Sequence, residues 1–337
     1  MKVALLAHEK FPENAKTAVG VLRYADYDVV AVLDRTNAGT RVADHLPDVQ
    51  DAPVVASMDD VEGDVDALVV GVAPIGGGFE ESWRPDVRAA LERGADVYAG
   101  LHYFLGEDDE FAALAEEHGC ELWDVRKPPE DLGVAEGVAD SVDATVVTTV
   151  GTDCNVGKMT ATRELYEAAQ EQGMDAAFVA TGQTGILIEG SGIPVDRVIS
   201  DFTAGSVERM VLEAGADHDY VFVEGQGSIV HPAYSGVTAG ITHGSMPDYQ
   251  VLCHEVGRDS VHGYDQELPP VESFPERYET FAGPVSDSPV VAGMLNTRSI
   301  DDDAEAEAAV KEFADAIGVP ADDPVRFGTE AVLDVIR

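Results

Sequence analysis

Positive charge is scarce in this sequence. Against 64 Asp and Glu the 337 residues carry only 21 Lys and Arg, a formal net charge of −43. Lysine occurs at Lys2, Lys10, Lys16, Lys127, Lys158 and Lys311 alone. A field of this sign repels phosphate backbones and anionic lipid surfaces, which excludes general nucleic-acid and membrane binding. Cysteine is also rare. Cys120, Cys154 and Cys253 are odd in number and far apart, so they support no disulfide framework and point to a reducing cytoplasm. No run reaches the roughly 18 apolar residues of a membrane span. The opening MKVALLAHEK has neither the length nor the cleavage site of a signal peptide and reads as a first strand. Apolar residues, by contrast, make up 45% of the chain, enough for substantial cores despite the charge. At about 100–200 residues per domain, the length suits two domains or one large α/β unit.

The acid excess carries an expectation of its own. Acids cluster on loops and helix faces, as at Asp301-Asp302-Asp303 and Asp322-Asp323. At ordinary salt such charge opposes the compact state by self-repulsion, whereas molar salt shrinks the Debye length to about 3 Å. The composition resembles that of salt-adapted cytosolic proteins.

Apolar β-prone runs alternate with helix-like segments, the pattern of parallel α/β layers. In the first part the runs are 2–7, 28–33, 53–56, 67–72 and 95–99, with helices at 84–93 and 108–119, the latter stopped by Gly119. This predicts a Rossmann-like domain over 1–125. Residues 126–143, with Pro128-Pro129 and several acids, read as a linker. A second series spans 144–337, with strands at 145–150, 176–181, 220–224, 249–253 and 290–295 and helices at 159–172, 203–214 and 303–317. The fold class expected is therefore α/β: an N-terminal Rossmann-like domain and a C-terminal phosphate-loop NTPase-like parallel α/β domain.

The most specific motif follows strand 145–150. Gly151, Thr152, Asp153, Cys154, Asn155, Val156, Gly157, Lys158, Met159 and Thr160 make a glycine-bounded turn that opens a helix. Such a turn gathers backbone N–H groups and a helix N-terminus around one anion. Lys158 adds a point charge for phosphate, and a following hydroxyl can hold Mg²⁺. The standard pattern has four residues between the glycines and Ser or Thr directly after Lys. Here five intervene, and Met159 precedes Thr160. The five-residue spacing with Gly-Thr-Asp resembles the phosphate loop of dethiobiotin synthetase and its relatives. Strand 220–223 then runs into Glu224-Gly225-Gln226-Gly227, similar to the Glu-Gly-x-Gly after the metal-binding strand of that group. By that resemblance Asp153, Thr160 and Glu224 are metal candidates, and Asn296, at the end of strand 290–295, sits where such proteins often read a base. A strand-end turn accounts for Asn296 equally well.

Residues 225–250 contain one acid, Asp248, where the average composition predicts about five. A Gly/Ser/Thr-rich segment spared from the acid excess suits an internal site or a subunit contact, and a homo-oligomer is expected. It supplies His231 and His243, candidates for a general base or substrate anchor. Cys253-His254-Glu255 and Arg258 follow; their spacing matches no compact zinc motif. Cys154 reads as a small packing residue, although a positive loop can lower a thiol pKa. Gln183 and Thr184, in Thr181-Gly-Gln-Thr-Gly185 at a strand's carboxyl end, are substrate candidates, together with Gln226, Ser228 and Arg258. In the first domain, the glycine-rich 71–78 segment can line a crevice but does not follow the G-x-G-x-x-G order.

Taken together, GTDCNVGKMT, ATGQTGI, VEGQGSIVHPAYSGVTAGITHGSMPD and CHEVGR resemble a family catalogued as a domain of unknown function, one member of which is described as a D-glutamate N-acetyltransferase. The resemblance implies acetyl transfer from acetyl-CoA to the amine of an acidic amino acid. A phosphate loop can hold the diphosphate or 3′-phosphate of coenzyme A without hydrolysing it. His231 or His243 would then be the base, with Lys158 at the phosphate and N–H groups of the 225–240 segment facing the oxyanion. Asp153, Thr160 and Glu224, however, look like Mg²⁺-nucleotide equipment. Two other readings stay open: an ATP- and Mg²⁺-dependent kinase or ligase activating a carboxylate or amine, and a nucleotide-binding regulator without turnover. An acidic substrate must enter against the overall field, and Lys158, Arg258, Arg163 and Arg298 are the candidates to relieve it.

Overall fold

Short runs of Val, Leu and Ala that are buried on both faces form parallel strands, because helices cover each side of such a sheet. The computed structural model describes residues 1–72, 74 and 77–337. Along the chain come β1 (Lys2–Leu6), α1 (Lys16–Tyr24), β2 (Asp28–Leu33), β3 (Val54–Val55), β4 (Ala67–Val70), α2 (Arg84–Glu92), β5 (Asp96–Ala99), α3 (Asp109–His118) and β6 (Leu122–Asp124). These strands make one parallel sheet in the order β3-β2-β1-β4-β5-β6, the Rossmann order with its switch point between β1 and β4. Asp108 caps α3 by accepting from the N–H groups of Glu110 and Phe111, and Gly119, at φ 71°, ends it. In the glycine-rich 71–78 segment, Ala73, Ile75 and Gly76 lie outside the described residues.

The second series is β7 (Thr145–Gly151), α4 (Lys158–Glu171), β8 (Ala176–Val179), α5 (Gln183–Glu189), α6 (Thr203–Gly215), β9 (Tyr220–Val223), α7 (Ser235–Ser245), β10 (Tyr249–Glu255), α8 (Phe274–Ala282), β11 (Val290–Asn296), α9 (Asp303–Ile317), β12 (Ala321–Asp322) and α10 (Glu330–Ile336). Its strands form a second parallel sheet in the order β12-β11-β10-β7-β9-β8. Alternation along the strands divides the core. Val147, Val251 and Met294 pack with Leu165 of α4 and Leu333 of α10. Val150, Leu252 and Leu295 pack with Phe274 and Tyr278 of α8 and Phe313 of α9. Burying each large apolar side chain contributes about 1.5–3 kcal/mol. β7 lies between β10 and β9, so the loop at its carboxyl end opens at the sheet's switch point, where α/β sheets bind ligands.

Two compact units result: Met1–Pro128 with Gln183–Pro194, and Pro129–Gly182 with Val195–Arg337. The first unit thus includes α5, a segment that a linear division of the chain assigns to the second. α5 packs on α1, where Thr184 Oγ1 lies 2.9 Å from Thr17 Oγ1 and the Tyr27 hydroxyl donates to the Leu187 carbonyl at 3.0 Å. The segment expected to be a linker is partly docked. The carboxylate of Glu208 on α6 accepts from the N–H groups of Glu136 at 2.6 Å and Val138 at 2.8 Å.

Candidate functional site

The site begins at the end of β7. Gly157, at φ 102°, turns the chain through a left-handed conformation into α4, and Asn155 takes a second left-handed step at φ 57°. α4 starts with no acidic residue in its first turn and no side-chain cap, unlike α9, which Asp302 caps. Its unpaired N–H groups and positive dipole end are therefore open to an external anion. Lys158 is buried, and its Nζ donates to the Asp153 carbonyl at 2.7 Å. That path requires Gly151, where a Cβ would lie 2.8 Å from Nζ.

Hydrogen bonds fasten this loop on every side. The buried Tyr278 hydroxyl donates to the Gly151 carbonyl at 2.6 Å and accepts from the Ile229 N–H at 3.3 Å. Burial raises its pKa to about 12, so it remains a donor. Thr152 Oγ1 meets His254 Nδ1 at 2.8 Å, and burial pushes that imidazole down to about 4. Asp153 is fully buried. One of its oxygens accepts from the Cys154 N–H at 2.8 Å, the other from the His262 N–H at 2.7 Å, and an Arg258 Nη1 stands 3.9 Å away. Burial, the largest cause, raises the Cys154 thiol to about 11, so it is a packing group and not a thiolate.

The neighbouring strand end is equally committed. One oxygen of Glu224 accepts from the N–H groups of Thr181 and Gly182, both at 3.0 Å. Gln226 Nε2 donates to the Thr181 carbonyl at 2.6 Å, and Ser228 Oγ donates to the Thr152 carbonyl at 3.0 Å. A Cβ at Gly225 would fall 1.7 Å from the Thr149 carbonyl oxygen, so only glycine fits there. At the end of β11, Asn296 Oδ1 accepts from the Arg298 N–H at 3.1 Å. Its Nδ2 lies 3.8 Å from where a Gly157 Cβ would be.

A family model described as Domain of unknown function (DUF1611_C) P-loop domain matches residues 133–333, and a companion described as Domain of unknown function (DUF1611_N) Rossmann-like domain matches residues 35–128. The chain belongs to the DUF1611 family. Two relatives named D-glutamate N-acetyltransferase are similar to it. The one from Tritonibacter scottomollicae is 40% identical over 271 residues, 80% of each chain. The one from a Pseudoalteromonas species is 36% identical over 268 residues, 79% of this chain and 80% of its own. The crystal structure of a DUF1611 family protein from Anabaena variabilis matches with a TM-score of 0.95 and 37% identity, covering 99% of this chain and 98% of that one. The two-domain α/β architecture, Rossmann-like then P-loop, is thus that of the family.

In this DUF1611 chain the expected site residues separate into groups. Gly151–Thr160, Glu224, Gln226, Ser228, Arg258 and Asn296 all gather around the carboxyl end of β7. The two histidines are each engaged with backbone. His231 is buried; its Nδ1 accepts from the Ala233 N–H at 3.1 Å, which leaves Nε2–H to donate to the His262 carbonyl at 3.2 Å. His243 stacks on Phe281 and its Nε2 lies 3.0 Å from the Phe281 carbonyl, a contact between α7 and α8. Gln183 and Thr184 belong to the first unit. Gln183 accepts from Arg126 at 2.7 Å, and both side chains are buried, where they hold α5 in place. Arg163 pairs with Glu167 at 2.8 Å.

Sequence reasoning missed His262. Its exposed ring has Nε2 3.4 Å from Asn155 Nδ2 and Nδ1 3.2 Å from Arg258 Nη1. Arg258, Ser260, His262, Tyr264 and Asp265 line an open depression of about 480 Å³ beside the loop. Arg258 also pairs with Glu255, whose other oxygen accepts from Arg298 at 2.7 Å. His262 belongs to no strand or helix, and the hydrogen bond from its backbone to Asp153, 109 positions earlier, helps to hold it here.

Proposed function

We propose that this chain transfers the acetyl group of acetyl-CoA to the amine of D-glutamate or a similarly acidic amino acid. The observation that carries the reading is the 36–40% identity, over four-fifths of the chain, to relatives named for that reaction. The phosphate loop then serves to bind coenzyme A: the N-terminus of α4 and Lys158 hold a phosphate of its 3′-phospho-ADP portion. The depression beside the loop takes the amino acid, with Arg258 facing its carboxylate. His262, exposed at the lip, accepts the proton that the ammonium group must lose. The free amine attacks the thioester carbonyl carbon, the C–S bond breaks, and the sulfur of coenzyme A leaves with a proton. Backbone N–H groups of the 225–240 segment stabilise the oxyanion formed on the way.

The test is mass spectrometry of products from D- and L-glutamate offered with acetyl-CoA or with ATP and Mg²⁺. N-acetylglutamate with stoichiometric free coenzyme A is the expected outcome. Release of ADP with phosphorylated or ligated product would replace the reading with a kinase or ligase. Nucleotide binding without any product would make the chain a regulator.

A further inference from the structure

Phosphate loops ordinarily work with Mg²⁺, held by the hydroxyl directly after the lysine and by a strand-end acid. Each of the three groups that the sequence offers for this is misplaced or already hydrogen-bonded to backbone. The position after Lys158 is Met159, which has no oxygen. Thr160 lies one residue further along α4, about 100° around the helix from where the metal-binding hydroxyl belongs. Both oxygens of the buried Asp153 accept backbone N–H bonds. Glu224 spends one oxygen on two N–H groups at the end of β8, and its other lies 3.2 Å from where a Gly182 Cβ would be. The carboxylate is thus turned toward β8. A second grouping, Asp153, Cys154 and His231, brings ligand atoms within 4.8 Å of one another. It offers no free set either, because His231 is engaged at both nitrogens.

From this mismatch we infer that the loop binds a diphosphate-type ligand without Mg²⁺, and that Met159 is the residue that sets this preference. Charge neutralisation falls to protein groups: Lys158 and the uncapped N-terminus of α4. This deepens the acetyl-CoA reading and rests on it for the identity of the ligand. It also resolves why an acetyl transferase, which needs no metal, carries a phosphate loop.

The experiment is isothermal titration of the intact protein, in molar KCl, with coenzyme A and separately with ADP, each in EDTA and in excess Mg²⁺. Lys158→Ala serves as the control for binding at the loop. The expected result is coenzyme A affinity that is equal in the two buffers within about threefold, and lost in Lys158→Ala. Met159→Thr, or Met159→Ser if the first variant does not fold, should gain at least about tenfold in ADP affinity from Mg²⁺. Wild-type binding of either ligand that is tenfold tighter with Mg²⁺ overturns the inference while leaving acetyl transfer intact. ADP binding in EDTA with no binding of coenzyme A sustains the inference and removes the acetyl-CoA reading. Absence of binding by either ligand in both buffers overturns both. A Met159→Thr or Met159→Ser protein still indifferent to Mg²⁺ overturns the role given to Met159.

Discussion

Single side chains under the phosphate loop act by holding backbone, and their removal should show in stability. Tyr278→Phe leaves the Gly151 carbonyl and the Ile229 N–H without the hydroxyl in a buried place. A loss of about 1–3 kcal/mol is expected in urea unfolding; an unchanged midpoint would mean that the loop does not lean on this residue. His254 adds a pH dependence. Its folded pKa, about 4, lies below the unfolded value of 6.5, so the fold favours the neutral ring. The contribution is complete above about pH 6.5 and is lost as pH falls toward 4, about 2 kcal/mol of it by pH 5. His254→Asn keeps an acceptor for Thr152 and should show a smaller drop in stability between pH 8 and 5 than wild type, at constant KCl. Cys154, protonated and buried, should resist iodoacetamide at neutral pH. Cys154→Ala should keep the proposed acetyl transfer within the same order of magnitude, and loss of turnover would make the thiol a participant.

Among the elements, α7 explains part of the uncharged 225–250 stretch. It packs closely on α6: a Cβ at Gly244 would lie 2.3 Å from the Ala204 carbonyl oxygen, and one at Gly240 2.5 Å from the Thr203 methyl. Glycines four residues apart let the helices approach to backbone contact, which leaves no room for charged side chains on the face that meets α6. Gly244→Ala should therefore cost about 1–3 kcal/mol, measured by thermal unfolding, whereas Gly236→Ala, with nothing within 4 Å of its Cβ, should be neutral or stabilising. An equal effect at both positions would count against close packing as the cause. α5 makes a related point. Its sequence, QTGILIE, has a glycine inside and almost no polar face, so its period gives no helix signal. It is helical because unit one buries it on α1.

For the molecule as a whole the charge of −43 sets the response to salt. Screening between about 0.1 and 1 M shortens the Debye length from about 10 to about 3 Å, so the melting temperature should rise with KCl across this range. A flat or falling curve would show that self-repulsion does not govern stability. Among the described residues no helix is long and apolar enough to cross a membrane. Apolar runs at 2–7, 28–33, 67–72, 145–150, 220–224 and 290–295 were readable as parallel strands, because a strand buried on both faces must be apolar throughout. The phosphate loop was readable because its chemistry is local: glycines, a lysine and a helix start lie within ten consecutive residues. What the linear order determined was thus two α/β layers, the loop and the acid-rich shell. Tertiary structure alone decided that α5 joins the first unit, that His231 and His243 are bound to backbone carbonyls, that Asp153 spends both oxygens and Glu224 one on N–H groups, and that His262 reaches the loop. Those outcomes depend on which donors and acceptors meet across long sequence separations, and residue type and spacing carry no record of such meetings.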